Sequence, residues 1–192
     1  LNRTPKYVQQ FKKAFGDSII TSKNFLKAIA QFTVSLVSCD SKFDQYQKKE
    51  VDFSDQEKNG YRLFKQNCNS CHTSPLFNSN NFASNGLPVD PFLNDLGRYS
   101  ITHVPSDSFQ FRIPTLRNIQ FSTPYMHDGR FKTLKDVIDF YCDQLDKNSP
   151  WLSDELKKKI TLTENDRKDL LAFLYTLSDK KFLYNPKYQY PR

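Results

Sequence analysis

The chain is poor in glycine, with 5 in 192 residues, and has a single Met and a single Trp. So little glycine argues against a turn-dense β-sandwich and against a glycine-rich phosphate loop, both of which need positions that accept positive φ. No stretch approaches the roughly 20 consecutive apolar residues of a membrane-spanning helix, so no span is expected. The chain opens on Leu1-Asn2-Arg3-Thr4-Pro5, with neither an initiator Met nor a secretory leader, and the expectation is a mature chain or a fragment. Segregated charge is lacking too. The net charge is +7, yet the lysines are interleaved with carboxylates, and the longest basic run, Lys157-Lys158-Lys159, reads as a solvated helix face. No nucleic-acid-binding module accompanies the charge, so no nucleic-acid partner is expected.

What is present is aromatic and helical. The chain holds 17 Phe and 10 Tyr, and a domain of this length buries roughly 70% of its unfolded surface, enough to fold without staples. Tyr7, Val8, Phe11, Ala14 and Phe15 fall at helical spacing and stop at Gly16-Asp17. A second helix opens at Thr21-Ser22 and is apolar almost all round near its end, through Phe32, Val34, Leu36 and Val37, which predicts burial against other helices. Ser54 and Glu57 form a capping box for a third helix that runs through Asn67 into Cys68. Thr133 opens a fourth helix through about Gln144, and Thr163 a fifth through about Ser178. Residues 73 to 132 carry six prolines and read as a long, mostly irregular connection, which at that length points to function. The tail after Lys181 is expected to run extended along the surface. The predicted class is all-α with long ordered loops, divided into a helical segment over 1–50 and a main domain over 51–192.

The four cysteines are Cys39, Cys68, Cys71 and Cys142. Cys68-Asn69-Ser70-Cys71-His72 is C-x-x-C-H, the attachment motif of c-type haem. Two thiols at i and i+3 at a helix end can each add to one haem vinyl group, and the adjacent His then supplies an axial nitrogen to iron. A structural zinc would need two further ligands at matching spacing, and no second C-x-x-C exists. A thioredoxin-like pair would need a βαβ context. A simple disulfide would leave His72 without a role. The order capped helix, C-x-x-C-H, Pro-rich loop and terminal amphipathic helix is that of a small cytochrome c domain, in which Gly60 would let the terminal helix cross closely and Phe64 would pack at the crossing. Haem c is attached outside the bacterial cytoplasm, so the expected compartment is the periplasm. Cys39 and Cys142 are either buried thiols or a long-range pair, and spacing does not choose between these.

Two further blocks stand out, Phe111-Arg112-Ile113-Pro114-Thr115-Leu116-Arg117-Asn118 and Pro124-Tyr125-Met126-His127-Asp128-Gly129. With Cys68–His72 they resemble the carboxy-terminal haem domain of the bacterial dihaem cytochrome c peroxidases and their relative MauG, and the resemblance runs over nearly the whole chain. The resemblance implies a class I cytochrome c-like haem domain preceded by interdomain helices. It implies a distal iron ligand fourteen residues after the His of the second block, which is Tyr141. The peroxidases place Met there and MauG places Tyr. Met126 is the alternative ligand, and for Tyr141 the alternative is a core aromatic on the apolar face of the fourth helix. A thioether favours ferrous iron and raises the potential, whereas a phenolate favours ferric and higher-valent iron.

Arg112 and Arg117 are candidate partners of the haem propionates, with salt bridging as the alternative. His127 is expected to orient a loop or a propionate, and His103 to be exposed. The resemblance also implies a calcium ion on the backbone carbonyls of Ser122 and Pro124. Its second C-x-x-C-H, where H2O2 binds, has no counterpart here, and Trp151 does not match the linking Trp of the family. The expected function is therefore the electron-transfer haem domain of a periplasmic oxidoreductase that reduces H2O2 or oxidises a protein. Its expected partners are an amino-terminal haem domain of the same protein and a small redox protein or cytochrome as donor. These residues alone are expected to show weak or no turnover. The rival expectations are a monohaem electron carrier without enzymatic activity and a haem-free interaction domain with a structural Cys pair.

Overall fold

The computed structural model describes residues 1–188. It divides into two compact units, one of Leu1–Cys39 with the described residues from Tyr184 onward, the other of Asp40–Leu183. The division falls earlier than the 50/51 boundary expected from sequence, because Phe43 is fully buried in the aromatic core of the second unit.

The first unit holds α1 (Pro5–Phe15) and α2 (Ser22–Ser35). Pro5 begins α1, where its missing N–H costs nothing, and Gly16 ends it at φ 79°. Thr21 caps α2 by accepting the Asn24 N–H. The side chain of Asn2 pairs with both backbone groups of Ile20, and Tyr188 donates to the Ser35 carbonyl at 2.8 Å. The predicted burial of α2 does not occur. Leu26, Phe32 and Val34 are exposed, and neither helix holds a buried residue. Two helices and a short tail supply too little apolar surface to cover both faces of so hydrophobic a helix.

The second unit holds α3 (Lys42–Gln47), α4 (Asp55–Asn67), α5 (Tyr99–Thr102) and α6 (Leu134–Asp139), then a π-turn over Phe140–Gln144. It ends with α7 (Asp154–Lys157), α8 (Glu164–Tyr175) and α9 (Lys180–Leu183). Between the helices, residues 73–132 run mostly as irregular loop, joined by one short antiparallel ladder, β1 (Phe82–Ala83) against β2 (Phe111–Arg112), with Phe82 opposite Arg112. The capping box read from sequence, Ser54 with Glu57, forms at α4, and Thr133 and Thr163, read as caps, open α6 and α8 with the same device, pairing with Asp136 and Asp166. The tail turns helical instead of extended, over Lys180–Leu183 and Pro186–Tyr188, and residues 189–192 lie outside the described residues.

Helices α4 and α8 cross at Gly60. A Cβ there would overlap the Asp169 carbonyl oxygen and lie 2.8 Å from the Phe173 Cβ. Phe64 and Phe173 meet at this crossing with ring centroids 5.0 Å apart, and Tyr61 stacks on Phe173 at 4.9 Å. Phe43 and Phe77 complete the cluster at 4.8 Å. Each such pair adds about 1 kcal/mol to the area buried.

Arg117 ties α3 to the loop after the cysteine motif. Its guanidinium donates to both carboxylate oxygens of Asp44, at 2.8 and 2.9 Å, and its Nε donates to the Pro75 carbonyl. Burial pushes the Asp44 carboxyl up, but hydrogen bonds from Arg117 and Ser41 outweigh it and hold the group below its ordinary value. A carboxyl so lowered stabilises the fold above its unfolded pKa and loses that contribution as pH falls through the native one. Arg117→Gln leaves Asp44 buried beside an uncharged amide, and the expected loss is about 3 kcal/mol near neutral pH. The gap in urea midpoints should close only as pH falls through the lowered native pKa of Asp44, below the ordinary carboxylate range, where the carboxyl becomes protonated in the parent too; a gap that stays constant down to the lowest pH would sink this account.

Candidate functional site

The second unit encloses a cavity of about 540 Å³, within the usual size of a cofactor pocket. Most of its wall is apolar: Phe64, Leu116, Ile138, Leu162, Leu170 and Leu174 come from the inner faces of the long helices and the central loop. Set into that wall are Cys68, Cys71, His72, Asn85, Met126 and Tyr141.

The cysteine motif is one further turn on the end of α4. Cys68 donates its N–H to Phe64, and His72 donates its N–H to the Cys68 carbonyl at 2.9 Å. Burial pushes the Cys68 thiol up to about 12. Burial also raises Cys71, against an opposing hydrogen bond from Ser70. Both groups are therefore neutral thiols near pH 7, unlike the lowered thiolates of a redox-active pair.

His72 is held by two carbonyls. Its Nδ1 lies 3.1 Å from the Phe77 oxygen and 3.1 Å from the Pro114 oxygen. A carbonyl only accepts, so Nδ1 carries the proton and Nε2 keeps a bare lone pair. Burial lowers the pKa of the ring and keeps it neutral, although both carbonyl contacts work the other way. Phe77 sits at φ 52°, an uncommon conformation for a bulky residue, and its carbonyl also accepts the Leu116 N–H at 3.1 Å. The Phe111–Asn118 block thus acts first on the imidazole, through Pro114. A ligand nitrogen whose other ring N–H is fixed by a carbonyl is the usual arrangement for a metal-bound His.

Tyr141 lies in the π-turn that continues α6. Sequence predicts a plain helix through Gln144, whereas the chain widens at Phe140, and such bulges are frequent at functional sites. Asp139 and Asp143 bracket Tyr141 and both accept from Arg167 of α8, at 2.7 and 2.6 Å. Burial raises the Tyr141 phenol, an effect the nearby Asn85 side chain opposes. Met126 also faces the cavity, on a backbone held at φ 72°, with its sulfur 3.5 Å from the Asn85 amide nitrogen.

The remaining predicted residues separate. Arg112 lines the cavity and donates to Asn80 at 3.3 Å. Arg117 does not line it, being held by Asp44 and Pro75. His127 stacks on Phe111 at 3.9 Å at the cavity edge, and His103 is exposed. Ser122 and Pro124 line the cavity itself, and no cluster of three carboxylate, His or Cys side chains occurs among the described residues, so the calcium expectation gains no support. No disulfide forms among the described residues: Cys142 is buried against the cavity and Cys39 is exposed. Sequence reasoning missed Asn85 and the carbonyls of Phe77 and Pro114. The positive φ at Phe77 has no sequence signal, and Asn85 stands outside every motif.

Two thiols and an imidazole with a bare nitrogen, opening on one large apolar cavity, are a donor set that fits a c-type haem. The comparisons point to the same class. A family model described as di-haem cytochrome c peroxidase matches residues 1–52. Methylamine utilization protein MauG of Methylorubrum extorquens is 35% identical over 92% of this chain and 50% of its own length. Cytochrome c551 peroxidase of Nitrosomonas europaea is 33% identical over 91% of this chain and 50% of its own. The crystal structure of a MauG-like protein associated with microbial copper homeostasis superposes with a TM-score of 0.86 at 30% identity, covering 97% of this chain and 62% of that one. The chain belongs to the di-haem cytochrome c peroxidase and MauG family of haem c oxidoreductases. It spans about half the length of the curated relatives it matches.

Proposed function

We propose that the second unit is a class I cytochrome c-like domain, the electron-transfer, carboxy-terminal haem domain of a periplasmic di-haem oxidoreductase. One observation carries this reading: Cys68, Cys71 and the bare Nε2 of His72 line one largely apolar cavity of about 540 Å³. The bound haem supplies a one-electron couple on its iron. Cys68 and Cys71 would hold it as thioethers, each S–H adding across one vinyl group. His72 would give the iron a nitrogen and Tyr141 an oxygen, with Met126 as the alternative. Arg112 is placed to meet a propionate at the cavity wall. Arg117 supports the site indirectly, by fixing the loop whose Phe77 carbonyl orients His72.

The whole protein's partners on this reading are an amino-terminal haem domain that takes H2O2 and a small redox protein or cytochrome as donor. The substrate is H2O2 itself or, in the MauG manner, another protein. The exposed apolar face of α2 agrees with a helix that works beside such a domain.

The test is haem content after expression with haem c maturation. One covalent haem per chain is expected; none, where a control cytochrome matures, would remove the proposal. For the distal ligand, Tyr141→Phe is expected to replace the parent's low-spin electron paramagnetic resonance signals with a different set. A variant whose spectrum overlays the parent's would return Tyr141 to the core.

A further inference from the structure

Three consecutive carbonyls in the loop after the cysteine motif each take a donor from the Phe111–Asn118 block. Pro75 accepts from Arg117 Nε at 2.9 Å, Leu76 from the Thr115 hydroxyl, and Phe77 from the Leu116 N–H at 3.1 Å. Pro114, one residue before Thr115, turns its own carbonyl to His72, so the imidazole Nδ1 lies in a fork, 3.1 Å from each of two oxygens. One arm of that fork is under strain. Phe77 is fully buried, with its ring 4.8 Å from that of Phe43, while its backbone stands at φ 52°. Such a conformation costs an aromatic residue on the order of 1 kcal/mol. Hydrogen bonds to the carbonyls before and after that backbone bond, those of Leu76 and Phe77, hold it in place. The first of them comes from a side chain that is itself oriented: Thr115 Oγ1 accepts the Arg117 N–H at 3.2 Å, which leaves its O–H to donate to Leu76.

We propose that Thr115 is a positioning residue for the iron site: by holding the Leu76 carbonyl it keeps the Phe77 carbonyl on His72, and through that contact it biases the iron toward the ferric state. The assignment rests on the reading of the cavity as a haem site with His72 as an iron ligand. Electrostatics give the sign. A carbonyl oxygen is the negative end of a dipole, and two of them on one N–H make the imidazole a stronger donor to a metal. Stronger donation favours the more positive iron. Without the Thr115 hydroxyl, the Leu76 carbonyl loses its partner, Phe77 relaxes toward negative φ, and its carbonyl swings off Nδ1. Pro114 alone then holds the ring, and the bias weakens. Thr115 acts in this account through Phe77 and His72, and not on the iron itself.

The test compares Thr115→Val, which removes the hydroxyl at nearly constant shape, with Thr115→Ser, which keeps it. In the haem-free chain, nitrogen-15 NMR reads how fast the His72 Nδ1–H exchanges with solvent. Thr115→Val is expected to exchange about fivefold faster than the parent, the worth of one ordinary hydrogen bond, and Thr115→Ser at the parent's rate. In the haem-loaded chain, Thr115→Val is expected to raise the ferrous-to-ferric ratio at a fixed applied potential about fivefold, an upward midpoint shift of roughly 40 mV for a one-electron couple. Thr115→Ser should restore the parent's potential. A merely structural loss would lower the urea midpoint and leave the potential where it was. If Thr115→Val keeps the parent's potential, whether or not exchange quickens, the positioning role is overturned and His72 stands as ligand. If pulsed electron paramagnetic resonance of the haem-loaded parent shows no imidazole nitrogen coupled to the iron, the ligand reading itself fails and the role of Thr115 falls with it.

Discussion

A Cys68→Ala/Cys71→Ala variant, matured beside the parent chain, is expected to lose essentially all of its acid-acetone-resistant haem colour. Among the described residues, these two sulfurs are the pair on this cavity wall at the spacing of a C-x-x-C motif. Cys142 lies on the same wall but outside that spacing. His72 and the apolar lining would still allow loose association, so the informative quantity is the haem that survives extraction, measured as the pyridine haemochrome. Colour retained at the parent's level would mean that Cys142 or a non-covalent mode holds the group, and the attachment role of the motif would be wrong. The single variants should each leave one thioether and shift the α-band toward the red, because an intact vinyl remains conjugated with the ring.

The second large effect is expected at Gly60. Gly60→Ala puts a methyl group into the Asp169 carbonyl oxygen and against the Phe173 Cβ, at 2.8 Å. The obstacle is helix backbone, which cannot swing aside as a flexible side chain can. The helices must separate, and Phe64, Phe173 and Tyr61 lose their close ring contacts together. An expected cost of about 4 kcal/mol sits at the upper end of single-substitution effects. Denaturant unfolding checks it. A loss below about 1 kcal/mol would show that the crossing can open without strain. Asn59, one residue before, donates to Asp169 across the same crossing at 2.7 Å, and Asn59→Ala should cost far less, because only one half-exposed hydrogen bond is lost.

Much of this arrangement is local in origin and so visible in the chain. Capping boxes need four residues, the cysteine motif five, and the helical spacing around Phe64 two turns. Gly60 is legible for a different reason, since a glycine inside a strong helix pattern demands a packing explanation. Long-range pairings are what sequence hides. Arg117 reads as a propionate partner by type, yet it meets Asp44, 73 positions away, and no spacing rule links them. Asn85 meets Met126, 41 positions away, for the same reason. The π-turn at Phe140 has no composition of its own; a helix widens there through what holds it, here Arg167 on two aspartates. The apolar face of α2 was legible as a surface to be buried, but periodicity names a face and not the element that covers it.

The widened turn has a consequence for how such a chain can change over evolutionary time. Because Arg167 grips Asp139 and Asp143 from outside, the frame around position 141 is supported independently of the side chain it displays. The residue there behaves like an interchangeable tool in a fixed chuck. If Tyr141 serves iron as proposed, its phenol could give way to a thioether without asking the helix to refold. On that reading, redox character would become a one-residue adjustment on a constant scaffold, and chemistry could diverge faster than shape.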